Sequence, residues 1–189
     1  MRCLAAIAAF LVLTGCASLT QEECLTGDWG GIGQRDGAAG RVADTQFARH
    51  VKACADAGIT PDRAAWQRGY ARGLQNYCTP LSGLNEGVEG RRYRNVCPAA
   101  TESAFLRGFQ IGLDDHKARE DVRRVQSEIA RLRARNNEIL SLLATDDDPA
   151  LRSELQSNQS ELLRLQLELC FARAEAARTR RAVAEFRAG

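Results

Sequence analysis

The sequence predicts a mainly α-helical protein: a small, glycine-rich helical domain stapled by disulfides, followed by a long antiparallel coiled-coil helical hairpin. Three observations carry this expectation. After residue 114, apolar positions recur at alternating steps of three and four, the period of a coiled-coil seam. Before it, glycines and cysteines fall in a spaced pattern that occurs twice. Strand patterns, meaning β-branched alternation over several residues, are essentially absent throughout.

The chain opens with Arg2, an apolar run from Leu4 to Leu13, and then Leu13-Thr14-Gly15-Cys16. A positive start, an apolar stretch of about ten residues and a small residue before the cut are the layout of a secretory signal. A membrane-spanning helix needs roughly 20 apolar residues, so this run is too short to be one. The four residues resemble the lipobox of bacterial lipoproteins, which implies cleavage before Cys16 and attachment of diacylglycerol and palmitate to it. Ala17, rather than an aspartate, follows the cysteine, so the expected address is the outer membrane, facing the periplasm, with the lipid as the membrane contact. The expected organisation is a signal peptide over 1–15, a lipid-anchored Gly/Cys-rich domain over 16–113 and a hairpin over 114–189. Formal net charge is only +2, so nucleic acid is dismissed as a partner.

Seven cysteines are present. Cys3 leaves with the signal and Cys16 is taken by lipid, so Cys24, Cys54, Cys78 and Cys97 can form two bridges in an oxidising compartment, with Cys170 left over. No C-x2-C pairing exists among them, which argues against zinc. An internal repeat chooses the connectivity. Gly33, Gly37 and Gly40 recur as Gly83, Gly87 and Gly90, and Gly69-x3-Gly73-Leu74 recurs as Gly108-x3-Gly112-Leu113. Each copy reads cysteine, glycine triplet, cysteine, proline (Pro61 or Pro98), aromatic (Trp66 or Phe105), then G-x3-G-Leu, the second being shorter in its middle. Equivalence pairs Cys24 with Cys54 and Cys78 with Cys97. Glycines four apart share a helix face and let another backbone approach. Each costs close to 1 kcal/mol against alanine in a helix, so tight packing has to offset them. Aromatic and apolar spacing favours helix near Trp66–Tyr77 and Ala104–Leu113, whereas 27–40 reads as either helix or glycine-rich loop.

The hairpin is the most constrained part. Val122, Val125, Ile129, Leu132, Asn136, Ile139 and Leu143 form one seam. Asp146-Asp147-Asp148-Pro149 interrupts it, with Asp148 as N-cap and Pro149 in the first turn of the next helix. A second seam runs through Leu151, Leu155, Asn158, Leu162, Leu165, Leu169, Ala172, Ala176, Thr179, Val183 and Phe186. Folded back in one register, Leu143 meets Leu151, Ile129 meets Leu165, Val125 meets Leu169, and Asn136 meets Asn158, where the paired amides pin the register. Arms from about Asp114 to Ala144 and from Pro149 to Phe186 would reach roughly 45 to 55 Å. The second helix carries an outer stripe of Leu163, Leu167, Cys170 and Ala174. It either rests on the N-terminal domain or forms an interface with a second copy or an envelope protein. Arg173, Arg178, Arg180, Arg181 and Arg187 make the last turns basic and complement the helix dipole, a reading favoured over an anion site.

With these residues in view, Glu23-Cys24-x2-Gly27-Asp28-Trp29-x2-Ile32-Gly33-x2-Asp36-Gly37 is followed by His50-x3-Cys54, Gly58-x2-Pro61-Asp62, Tyr77-Cys78-Thr79-Pro80 and Val96-Cys97-Pro98. This series resembles a family of uncharacterised proteobacterial lipoproteins grouped as a domain of unknown function, over about residues 20 to 113. The resemblance implies export, lipid anchoring and disulfides, and supplies no catalytic residue.

Chemistry-bearing candidates are few. His50-x3-Cys54 has metal-ligand spacing but loses its thiolate if Cys54 is bridged, so no metal and no cofactor is expected. Asp28 and Asp36 flank the Trp29–Ile32 turn and, with His50, are the residues a small hydrolase or glycan-binding protein would use. Acidic residues in glycine-rich turns more often bond their own backbone. The favoured function is therefore a membrane-anchored envelope lipoprotein acting as a structural or protein-interaction module, with a small periplasmic hydrolase or glycan-binding protein using Asp28, Asp36 and His50 as the alternative.

Overall fold

The computed structural model describes residues 19–189, so the signal stretch and Cys16 lie outside the described residues. Within them the chain forms α1 (Gln21–Thr26), α2 (Trp29–Ala38), α3 (Ala43–Cys54), α4 (Arg63–Tyr77), α5 (Pro80–Val88), α6 (Ala99–Leu143) and α7 (Pro149–Ala188), with no strand among the described residues. Two compact units divide at residues 75 and 76. That division falls between the two copies of the repeat. The composition shift near residue 114 lies instead inside α6, which runs unbroken for 45 residues. No proline or glycine follows Gly112 until Pro149, so nothing stops the helix there. The first arm of the hairpin is thus a continuation of the second copy's glycine helix and reaches about 67 Å.

In the first unit, α1 starts with a capping box in which Thr20 and Glu23 satisfy each other's backbone N–H, and it ends on Gly27 at φ 69°. Asp28 caps α2 by accepting from Gly31 N at 2.9 Å. The segment 27–40 is therefore mostly helix, and its glycines are used for close packing. A Cβ on Gly33 or Gly37 would strike the carbonyl oxygens of Trp66 and Tyr70 on α4, and one on Gly69 or Gly73 would strike those of Gly30 and Gln34 on α2. Backbone meets backbone from both sides. Around this contact the core gathers Trp29, Ile32, Phe47, Trp66, Tyr70 and Leu74, with Trp66 stacked on Tyr70 at 4.9 Å between ring centroids. The Cys24–Cys54 disulfide, Cα–Cα 5.6 Å, ties α1 to the end of α3.

The second unit opens with the same design. Gly83 and Gly87 of α5 lie under the carbonyls of Phe105 and Phe109, while Gly108 and Gly112 of α6 lie under those of Pro80 and Leu84. Gly40 and Gly90 end the equivalent helices at φ 59° and 67°, and Arg41 N→Asp36 O and Arg91 N→Glu86 O close the same turn at 3.1 and 2.9 Å. The shortened middle of the second copy is explained by α3, which has no counterpart there. Tyr93, from the loop that replaces it, packs against Phe105 at 4.8 Å. Cys78 and Cys97 are joined, Cα–Cα 5.5 Å, so both bridges link the partners that the repeat assigns.

Beyond the glycines, α6 and α7 close along the seam. Val125, Ile129 and Leu165 are buried, with Leu132, Leu162 and Leu169 packed against them. Asn158 Nδ2 donates to Asn136 Oδ1 at 2.9 Å, and Asn136 is itself buried. Arg135 reaches Glu154 with two hydrogen bonds, at 2.7 and 2.9 Å, and Arg124 reaches Glu168 at 3.1 Å, so the seam is flanked by interhelical ion pairs. Asp148 accepts from Ala150 N at 2.7 Å, with Pro149 opening the helix. The register carries on past the apolar seam to Asp115 and Thr179, whose hydroxyl donates to the carboxylate at 3.3 Å.

Candidate functional site

The chemistry-bearing residues of the first unit meet in its interior. Asp36 projects from α2, His50 from α3 and Trp66 from α4, and all three are buried. Asp36 Oδ2 accepts from His50 Nε2 at 2.7 Å and from Trp66 Nε1 at 2.9 Å, while Oδ1 accepts from Arg41 Nη1 at 3.1 Å. Gln46 lies one helical turn before His50, with its amide 3.4 Å from the ring nitrogen. A carboxylate taken out of water needs such partners, and charge-assisted hydrogen bonds to it are about twice as strong as neutral ones. Three helices thereby share one anchor. His50 is only 1% exposed, which leaves the imidazole out of reach of a substrate in solution. Its neighbour Cys54 is bonded to Cys24, so the H-x3-C spacing offers no thiolate to a metal.

Asp28 is not part of this cluster. It caps α2 two turns before Asp36, about 12 Å along the helix. A cleft of about 230 Å³ lies beside it, lined by Glu22, Glu23, Thr26, Ile32 and Arg35, but neither Asp36 nor His50 opens into that space. The structure thus brings Asp36 and His50 together and leaves Asp28 apart. Arg41 is a member of the cluster that spacing did not single out, and Trp66 stands out in the sequence only as the aromatic of the repeat. The repeat holds a signal for Arg41: Asp36…Arg41 recurs as Glu86…Arg91, again paired, at 3.0 Å.

The hairpin offers a surface instead. Leu163, Leu167 and Phe171 are 65%, 66% and 76% exposed, with Cys170 a free exposed thiol beside them and Ala174 exposed at the next turn. Phe171 belongs to this stripe, four residues after Leu167 as Leu167 is four after Leu163. A second feature is a cleft of about 470 Å³ between α6 and α7, floored by Val122 and Ala176 and walled by Arg119, Arg123, Arg173 and Arg180, with Asp115 at its edge. Burial raises the pKa of the hydroxyls of Tyr70, Tyr77 and Tyr93, and Tyr77, beside the Glu86 carboxylate, is pushed up to about 12. All three phenols are therefore neutral donors at any physiological pH.

Among the described residues no helix is long and apolar enough to cross a membrane. No curated protein and no solved structure matches the chain significantly. Residues 28–114 match a family model described as a protein of unknown function (DUF2799), a span that starts at the Asp28 cap, contains the glycine-locked pairs of both copies and ends two residues past Gly112. Over that span the chain is similar to this uncharacterised domain, and the rest of the hairpin lies beyond it.

Proposed function

We propose that the protein is a membrane-anchored envelope lipoprotein whose helical hairpin serves as a protein-interaction module, with a second copy of the chain as its first partner. The observation that carries this reading is the exposed stripe of Leu163, Leu167 and Phe171. Large apolar side chains contiguous on one helix face mark interaction surfaces more often than chance exposure does. Cys170 sits in the same stripe, and an unpaired thiol in an oxidising compartment is suited to bridging two copies. Two disulfides in a chain this small are compatible with an envelope location. The Leu13-Thr14-Gly15 run before Cys16 and the resemblance to envelope lipoproteins support a lipid on that cysteine.

Membrane fractionation with non-reducing electrophoresis tests the proposal. The native chain is expected in the outer-membrane fraction, partly as a covalent dimer, with Cys16→Ser releasing it and Cys170→Ser removing the covalent band. Leu163→Glu with Leu167→Glu should abolish the association that survives Cys170→Ser. A chain that stays soluble, or that remains monomeric at high concentration in its native form, would overturn the reading.

A further inference from the structure

The cleft between α6 and α7 has a physical origin in the seam. Val125 and Leu169 are the last large facing pair of the buried cluster. Beyond them the seam positions are Val122, Ala172, Ala118, Ala176, Asp115 and Thr179. Of these, Asp115, Val122 and Ala176 line a cleft of about 470 Å³ alongside the seam, while Ala118 and Thr179 stay buried. That volume is within the range of small-molecule sites, which are typically apolar-floored with a few fixed polar groups.

The charge around it is one-sided. Asp115 is already satisfied, accepting from Arg119 Nε at 2.9 Å and from Thr179 Oγ1 at 3.3 Å. Arg119 is thereby held in place and neutralised. Arg123 is paired with Glu120 at the exposed rim, a contact of little energetic weight. Arg173 and Arg180, two turns apart on α7, have no ion pair among the described residues and line the same cleft. Arg123, Arg173 and Arg180 thus line the cleft with Val122 and Ala176, the two nearby carboxylates being engaged by Arg119 (Asp115) and Arg123 (Glu120). Guanidinium groups match the geometry of phosphate oxygens through paired N–H donors.

We infer that this cleft binds the phosphate group of an amphiphilic organophosphate, with the anion held by Arg123, Arg173 and Arg180 and the apolar part resting on Val122 and Ala176. Such a group can come from a phospholipid headgroup or from a soluble phosphate ester. The site is separate from the exposed leucine stripe and does not rest on the association proposed above.

Calorimetric titration of the full chain with phenyl phosphate, paired with flotation on phosphatidylglycerol and phosphatidylcholine vesicles, tests this. Saturable binding of phenyl phosphate at one site per chain is expected, competed by inorganic phosphate. Arg173→Ala with Arg180→Ala should weaken it by about tenfold or more, the loss expected for charge-assisted hydrogen bonds. Arg178→Ala with Arg181→Ala, outside the cleft, should leave it unchanged. Helical circular dichroism of both double variants checks that the hairpin stands. Preference for phosphatidylglycerol that is lost in Arg173→Ala/Arg180→Ala would assign the lipid source, and titratable phenyl phosphate binding without vesicle preference would assign a soluble ester. Absence of saturable phenyl phosphate binding, or equal binding by the Arg173→Ala/Arg180→Ala protein, would overturn the inference.

Discussion

At the residue scale, the glycines carry more of the fold than their number suggests, because each removes a side chain at a point where two backbones touch. Gly33 and Gly30 lie on the same helix and make opposite predictions. A methyl group on Gly33 meets the Trp66 carbonyl, part of a helix backbone that cannot step aside, so Gly33→Ala should destabilise by about 2 kcal/mol despite the gain in helix propensity. At Gly30 the nearest atom to an added Cβ is the Arg72 guanidinium at 3.6 Å, ordinary contact, so Gly30→Ala should be neutral or stabilise by up to about 1 kcal/mol. Urea unfolding of the two variants decides, and equal effects would show that the close approach is not maintained in solution. The tyrosines give a second test. Tyr77 is pushed up to about 12, above its unfolded value, by burial and by the Glu86 charge beside it. A folded pKa above the unfolded one means that its contribution is complete below about pH 10 and is lost as pH rises from there through 12. Tyrosinate absorbance should thus titrate later in the native chain than in the unfolded one, and coincident curves would contradict the burial of these phenols.

At the scale of elements, the hairpin was legible because one register has to satisfy many positions at once. Leucine-sized residues fix the spacing, and the two asparagines choose among registers that leucines alone would leave close in energy. Asn136 and Asn158 are 2.9 Å apart, so their effects should be coupled. Asn136→Leu strands the amide of Asn158 against apolar neighbours, whereas replacing both removes the polar requirement and should recover stability at the expense of a single register. A double-mutant cycle read by thermal unfolding should give a coupling of about 1 kcal/mol, and additive effects would place the two side chains apart. The start of the first arm was less legible. The composition shift near residue 114 looks like a boundary, yet α6 passes straight through it. Composition reports what a helix packs against, while its continuity depends only on the absence of a breaker. The arginines of α7 show the same gap. Their number near the C-terminus reads as dipole complement, and only the fold reveals that Arg173 and Arg180 share a cleft with two arginines from another helix.

At the scale of the whole molecule, the repeat connected sequence to structure most directly: glycine spacing predicted which cysteines are partners, and the two compact units divide where one copy ends and the next begins. The buried Asp36–His50–Trp66 cluster was only half visible. Its acid and imidazole stand out by residue type, but Trp66 reads as core and enters the cluster only through its indole N–H, which spacing does not report. These assignments predict unequal dependence on the disulfides. Loops of 30 and 19 residues are closed, and by chain entropy each bridge contributes about 3 to 4 kcal/mol. The described part of the first unit has fewer than 60 residues, a size at which a core alone is marginal, so it should depend on Cys24–Cys54. The two long helices keep their own leucine seam and amide pair whether or not Cys78 and Cys97 are joined. Both tryptophans, Trp29 and Trp66, lie in the first unit, so fluorescence reports on it alone, whereas far-ultraviolet circular dichroism is dominated by α6 and α7. In reductant, tryptophan fluorescence should therefore lose its native signal at a lower urea concentration than helicity does. A single coincident transition in reductant would mean instead that the glycine-locked first unit is stable without its crosslink, and that the backbone contacts at Gly33, Gly37, Gly69 and Gly73 suffice to hold it.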